Sequence, residues 1–216
     1  MTIRSIKSVA VFCGSNFGAS EAFADGARAL GGALGEAGIT IIYGGTVKGL
    51  MGVVADAALE AGGSVHGVIT ESLHQRGQSH AGLTRHEIVE TLRSRKERMV
   101  ELSDAFIALP GGIGTIEELM EVWTMNQLSE IDKPVGLLNS AGFFDAFRPY
   151  GRDEVPAGRA QALDLCRHGC ERPDRQAAQL YARRGAEMAI ASIRQCRRPV
   201  IGVVGQVRQV RRSEPR

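Results

Sequence analysis

Residues 110–118 read Pro-Gly-Gly-Ile-Gly-Thr-Ile-Glu-Glu, between a short apolar run at 105–109 and an apolar-patterned segment at 116–128. That order predicts a strand, a glycine turn and a helix. Gly111, Gly112 and Gly114 let the backbone turn tightly and let a ligand approach it closely. Thr115 is placed to cap or open the helix, whose free N–H groups then point into the turn. Such a turn favours an anion, most often a phosphate. Glu118 follows within the first helical turn. It reads either as a partner of the helix dipole or as a reactive carboxylate, since beside a phosphate cradle it repels the anion the turn should hold. Both readings stand on this stretch alone.

The same unit recurs towards the N-terminus. A β-branched run at 8–12 ends in Cys13-Gly14-Ser15-Asn16 and Gly18. Ser20 is an N-cap for a helix through about Ala37, with Phe23, Ala27, Leu30 and Leu34 at helical spacing. A second strand at 39–43 runs into Gly44-Gly45-Thr46 and Gly49-Leu50-Met51-Gly52, followed by a helix through about Ala61. Further strands are expected at 65–69, 87–89, 105–109 and 134–138, with helices at 91–102 and 115–128 and, at 71–82, a loop with room for a helical turn. Strands alternating with helices over short turns predict an α/β fold: a doubly wound, mostly parallel, Rossmann-like sheet with helices on both faces. Ligands in such folds sit at the carboxyl ends of the strands, where three glycine turns of this chain lie. The dinucleotide fingerprint is missing, because Gly14-Ser15-Asn16-Phe17-Gly18 has the wrong spacing, so NAD and FAD are disfavoured.

The chain has 216 residues, 27 glycines and 5% aromatic residues, which suits one glycine-turn α/β domain or one domain with a tail. No apolar run is long enough to span a membrane, and the polar start lacks the apolar core of a signal peptide. The expected location is the cytoplasm. Cys13, Cys166, Cys170 and Cys196 are not spaced as a zinc site, although Cys166 and Cys170 enclose His168. Charge divides the chain. Residues 1–146 hold 11 Lys and Arg against 17 Asp and Glu, whereas residues 147–216 hold 15 basic residues, all arginine, against 7 acidic ones. Two regions follow: a nucleotide-binding catalytic domain at 1–146 and an arginine-rich C-terminal segment at 147–216. A shift of reading frame near codon 147 would produce so abrupt a change, and so would a divergent tail. A basic tail suits nucleic acid, but aromatic interleaving is lacking and nucleic acid is not expected as a partner. Within the tail, 177–193 reads as helix and 200–207 as strand.

In the helix at 91–102, Leu92, Met99 and Leu102 form a stripe, and Arg95 falls on it. An inward arginine needs an anion. One reading is an internal salt bridge with Glu118 or Glu90, and the other a phosphate or ribose contact near the glycine turn. In the helix at 116–128, Ile116, Leu119, Met120 and Trp123 form one face, and Val122 and Met125 a second that includes Glu118. Two apolar faces predict two covers, the sheet and a second protomer. The histidines have no nucleophile context. Lys48 and Lys96 are cations that a phosphate would meet, although solvation at the surface accounts for either.

Cys13-Gly14-Ser15, Tyr43-Gly44-Gly45, Gly49-Leu50-Met51-Gly52, Arg95-Lys96 and the Pro110–Glu118 motif occur in order. Over about residues 6–146 they resemble the LOG (Lonely Guy) family of cytokinin riboside 5′-monophosphate phosphoribohydrolases, formerly labelled possible lysine decarboxylases. The resemblance implies cleavage of the N-glycosidic bond of AMP or N6-substituted AMP, giving free base and ribose 5-phosphate. It places the catalytic pair on Arg95 and Glu118. It places substrate contacts on Ser15, Gly45, Met51, Arg95, Lys96, Gly111, Gly112, Gly114, Thr115, Glu118 and Thr124. It implies a homodimer with the site at the interface, and no metal or organic cofactor. A lysine decarboxylase would need pyridoxal phosphate on a Schiff-base lysine, and nothing here supplies that context. A non-catalytic nucleotide carrier or sensor of the same fold is the alternative. The chain departs from the family at Thr46, where a third glycine is common, at Leu92-Arg93, where Met-His is common, near Gln75 to Gly77, where an acidic residue is common, and beyond Phe147.

Overall fold

β1 (Ser8–Phe12) shows how the sequence builds the sheet. Val9 and Val11 point into one buried cluster, and Ala10 and Phe12 into another on the opposite face. A strand buried on both sides reads as a continuous apolar run, as expected inside a parallel sheet. The structure is a computed structural model and describes residues 5–147, 186–187, 190–191 and 201–204.

The described elements alternate as foreseen. β1 is followed by α1 (Glu21–Glu36), β2 (Thr40–Tyr43), α2 (Gly49–Glu60), β3 (Val65–Thr70), the short α3 (Glu71–Gln75) and β4 (Arg85–Val89). Then come α4 (Leu92–Leu102), β5 (Ala105–Ala108), α5 (Ile113–Gln127), β6 (Val135–Leu138) and β7 (Ile201–Val204). The sheet order is β4-β3-β2-β1-β5-β6-β7, with every pair parallel. This is an α/β, Rossmann-like fold. α1 and α2 cover one face through Leu30, Leu34, Leu50 and Val54. α4 and α5 cover the other through Met99, Leu119, Val122 and Trp123.

The chain winds outward from β1 to β4, then returns to place β5 on the other side of β1. The crevice of such a sheet opens at that reversal. One carboxylate fixes the junction: Asp104 Oδ2 accepts from Lys7 N at 2.8 Å, Ser8 N at 3.0 Å and Ser8 Oγ at 3.1 Å. The resulting register sets Phe12 beside Ala108, so the turns after β1 and β5 start level.

Four expectations change. α5 begins at Ile113 with Gly112 as N-cap, so Thr115 is its third residue rather than its cap, and Glu118 sits in the second turn. β4 begins at Arg85, two residues early, while the helical turn allowed within 71–82 is α3. Leu92 is 62% exposed rather than part of an inward stripe. Val122 is only 1% exposed in this single chain, so its face is covered from within, by packing with Phe106, Val135 and Phe144.

In the tail, β7 lies inside the expected 200–207 strand and pairs with β6 in the register Leu137 to Val203. Residues 186, 187, 190 and 191 are helical, and Ala186 and Ile190 are buried with the core on the α1 and α2 face. Cys166, His168, Cys170 and Cys196 lie outside the described residues.

Candidate functional site

The three glycine turns meet at the carboxyl ends of β1, β2 and β5, held by backbone hydrogen bonds. Gly14 N–H donates to the Pro110 carbonyl at 3.0 Å, and Leu50 N–H donates to the Gly14 carbonyl at 3.0 Å. Gly49, at φ +54, packs against Ser15 and Asn16, and Gly111 packs against Thr115 and Gly14. These two glycines serve the fit of one turn against another.

Gly112 and Gly114 differ. A β-carbon built on either would meet no atom within 4 Å, and neither backbone is left-handed. Gly112 caps α5 with no side-chain hydrogen bond. Nothing in the packing of the described residues asks for glycine here. The first turn of a 15-residue helix therefore presents bare backbone N–H groups to open space.

α4 carries the facing cation. Its start is fixed by a capping box in which Ser94 N–H donates to Thr91 Oγ1 and Thr91 N–H donates to Ser94 Oγ, each at 3.0 Å. One residue on, Arg95 points inward and its Nη2 donates to Glu118 Oε1 at 3.1 Å. The two side chains are 11% and 14% exposed. The salt bridge weighed for Arg95 is thus formed, with Glu118 as the partner. It leaves Arg95 Nε buried and without a hydrogen bond among the described residues, a free donor at the pair.

Burial pushes the Glu118 carboxyl above the ordinary carboxylate range. The Arg95 guanidinium pulls it back, as does Lys96 more weakly, while Glu117 and Glu121 push it up. The carboxylate is held ionisable but reluctant, as suits a group that answers a developing positive charge or a proton. Beneath it, the buried Cys13 thiol is raised by burial and then by Glu118.

The other candidates fall as follows. Met51 is buried and lies against Gly44 and Arg95. Gly45, at φ +74, packs on Gly67 and Ile69 of β3, one residue away from the contact with Arg95. Ser15 is exposed in the first turn beside Gly49, and Thr115 is buried against Gly111. Lys96 is held by Glu117 and by Glu121, the latter at 3.0 Å. Thr124 is exposed two turns beyond Glu118. The histidines have other partners: His66 lies 3.4 Å from Glu87, His80 2.8 Å from Asp56, and His74 2.8 Å from Ser79 Oγ. Sequence reasoning did not single out Gly44, Thr46 or Cys13 as neighbours of the pair. The only signal for Gly44 is its place beside Tyr43 and Gly45.

The chain is similar to several known proteins. The family model described as possible lysine decarboxylase matches residues 51–162. A rice protein named as a probable cytokinin riboside 5′-monophosphate phosphoribohydrolase, LOGL1, is 48% identical over 137 residues, spanning 63% of this chain and 61% of the relative. The cytokinin riboside 5′-monophosphate phosphoribohydrolase of Rhodococcoides fascians is 43% identical over 145 residues, spanning 67% of this chain and 73% of the relative. Among solved structures, the molybdenum cofactor carrier protein of Chlamydomonas reinhardtii superposes with a TM-score of 0.56 at 20% identity, over 68% of this chain and 84% of its own. The molybdenum cofactor binding protein of Rippkaea orientalis gives 0.51 at 23%, over 62% and 77%. At such identities these two likenesses concern the fold alone.

Proposed function

We propose that this chain, which belongs to the family described as possible lysine decarboxylase and is similar to proteins named cytokinin riboside 5′-monophosphate phosphoribohydrolases, hydrolyses the N-glycosidic bond of AMP or N6-substituted AMP. The observation that carries the reading is the buried Arg95–Glu118 pair standing beside a helix start whose two bare glycines have no packing role. A 5′-phosphate takes the N–H groups of the turn at Gly112 to Thr115. The ribose then lies towards the pair.

In the reaction the bond between the ribosyl anomeric carbon and the base nitrogen breaks. Its electron pair leaves with the base, which takes up a proton. Positive charge grows on the sugar, as in glycoside hydrolysis, and water supplies the oxygen that completes ribose 5-phosphate. Glu118 as carboxylate stabilises the sugar charge and accepts the proton of the attacking water. Arg95 holds Glu118 through Nη2 and offers Nε to the phosphate or ribose. The chemistry of this reading calls on no metal or organic cofactor.

Residues 1–146 carry this chemistry in the proposal, and β7 with Ala186 and Ile190 extends the scaffold. Exposed Ile113 and Leu92, 86% and 62% accessible, stand at the starts of the two helices that carry the pair. They support a homodimer whose interface borders the site. Among the described residues no helix is long and apolar enough to cross a membrane, and the expected location remains the cytoplasm.

Chromatography of the protein incubated with AMP and with isopentenyl-AMP tests the proposal. Free base from either substrate, lost in Glu118→Gln while the fold survives, is the expected result. Nucleotide binding without base release by the folded wild type would instead make the chain a carrier or sensor.

A further inference from the structure

Glycine at position 44 has an unusual reason. Its φ is outside the left-handed region, so the backbone would accept alanine. The obstacle lies in front of it. A β-carbon there would come within 2.5 Å of Met51 Cε, 2.6 Å of Arg95 Nη2 and 3.0 Å of Arg95 Cζ. These three nearest atoms are all ends of side chains reaching in from α2 and α4. The Arg95 guanidinium therefore lies across the bare α-carbon of Gly44, with the Met51 methyl beside it.

Met51 is itself located. It is 8% exposed, and Thr46 Oγ1, 5% exposed, lies 3.9 Å from its sulfur. The turn after β2 thus supplies the floor under the guanidinium, and Met51 in the first turn of α2 stands beside that floor as the stop. Glu118 holds the same group from α5 at 3.1 Å. A flexible arginine tied at one Nη to one carboxylate oxygen keeps much torsional freedom, and a floor removes it.

We propose that Gly44 is a positioning residue: its missing side chain, with Met51 as the stop, sets where the Arg95 guanidinium meets Glu118. The proposal rests on the reading above only in treating Glu118 as the carboxylate of the reaction, since the geometry is independent of the substrate. The groups facing Glu118 are Arg95 and Lys96 on α4, Glu117 and Glu121 on α5, and Cys13 after β1. Of these, Arg95 supplies two of the three atoms nearest a β-carbon at Gly44.

The experiment compares wild type with Gly44→Ala. Glu118 is followed by carboxyl carbon NMR through a pH titration, with Glu118→Gln assigning the signal. Displacing Arg95 removes the largest force pulling the carboxyl down, so the Glu118 midpoint moves up in Gly44→Ala while the melting temperature stays within about 2 °C. With AMP, kcat falls roughly 10- to 100-fold, and adding Gly44→Ala to Arg95→Ala costs less than about twofold more. An unmoved Glu118 midpoint in a folded Gly44→Ala protein overturns the proposal, as does an equal loss in both backgrounds. Met51→Ala, which adds no atom, gives the same NMR test if Gly44→Ala does not fold, and its midpoint also moves up. A wild type that releases no base would sink the hydrolase reading, and the titration would still decide whether Gly44 seats Arg95.

Discussion

Gly112 and Gly114 are the two glycines of the turn that no neighbour needs, and this makes them separable from the fold. Gly112 sits at φ −85 and ψ −162, which alanine adopts freely. Gly112→Ala should therefore cost less than about 1 kcal/mol of stability, the price of a poorer N-cap. It should raise KM for AMP roughly tenfold, because the methyl group occupies the phosphate's approach. Thermal melting and initial rates measured on the same preparation check both parts. Glu118 makes a prediction in pH. In the proposed reaction it works as the anion, and burial holds its affinity for a proton above that of an ordinary carboxyl. The acid limb of kcat/KM should then lie above the ordinary carboxylate range, with activity lost as pH falls through it. Arg95→Ala, by removing the main opposing charge, should move that limb higher still in whatever activity remains. Arg95 also marks how far the sequence reaches at this scale. Its inward direction followed from helical spacing, but its partner is 23 residues away, across β5 and a turn. Only the assembled sheet chooses between an ion pair and a phosphate, and it gives the first while leaving Nε for the second. The contact of Arg95 with Gly44 is still less legible, because it sets a side chain of α4 against the bare backbone of the turn after β2.

At the scale of elements, α4 matters because it delivers Arg95 one residue after its capping box. Thr91→Ala removes the hydroxyl that accepts from Ser94 N–H. It should cost about 1 kcal/mol, or roughly 2–4 °C in melting temperature, with a smaller fall in kcat than any change at Arg95 itself. Differential scanning calorimetry and steady-state kinetics check the ratio of the two effects. Strands and glycine turns were legible because β-branched runs end abruptly at glycines and because parallel strands are apolar on both faces. The start of α5 was not, since the real cap is Gly112, which makes no side-chain bond, while the conventional capping side chain is that of Thr115 in the third helical position. The second apolar face of α5 was read as a missing protomer. Val122 is instead covered by Phe106, Val135 and Phe144, and their packing around this helix is not written in the helix's own periodicity.

For the whole molecule, the composition break near Phe147 does not coincide with the edge of the sheet. β7 continues it past β6, and Ala186 and Ile190 lie in the core. A chain ending at residue 147 should lose the burial of Ile190, about 1.5–3 kcal/mol for such a side chain. It should also leave β6 as an unpaired apolar edge. A melting temperature at least roughly 5 °C lower, with aggregation on heating, is the expected outcome by circular dichroism and light scattering. The clamp of Asp104 on Ser8 has a consequence in time. The two residues are 96 apart, so β1 leaves the ribosome long before the strand that completes it. At typical elongation rates that interval is roughly 5–20 s. Through it the centre of the future sheet has a neighbour on one side only, and the crevice has no second wall. Recovery of activity on refolding is therefore tied to a closure distant in sequence, a slow step for a sheet of this topology, and helical signal should return before turnover does.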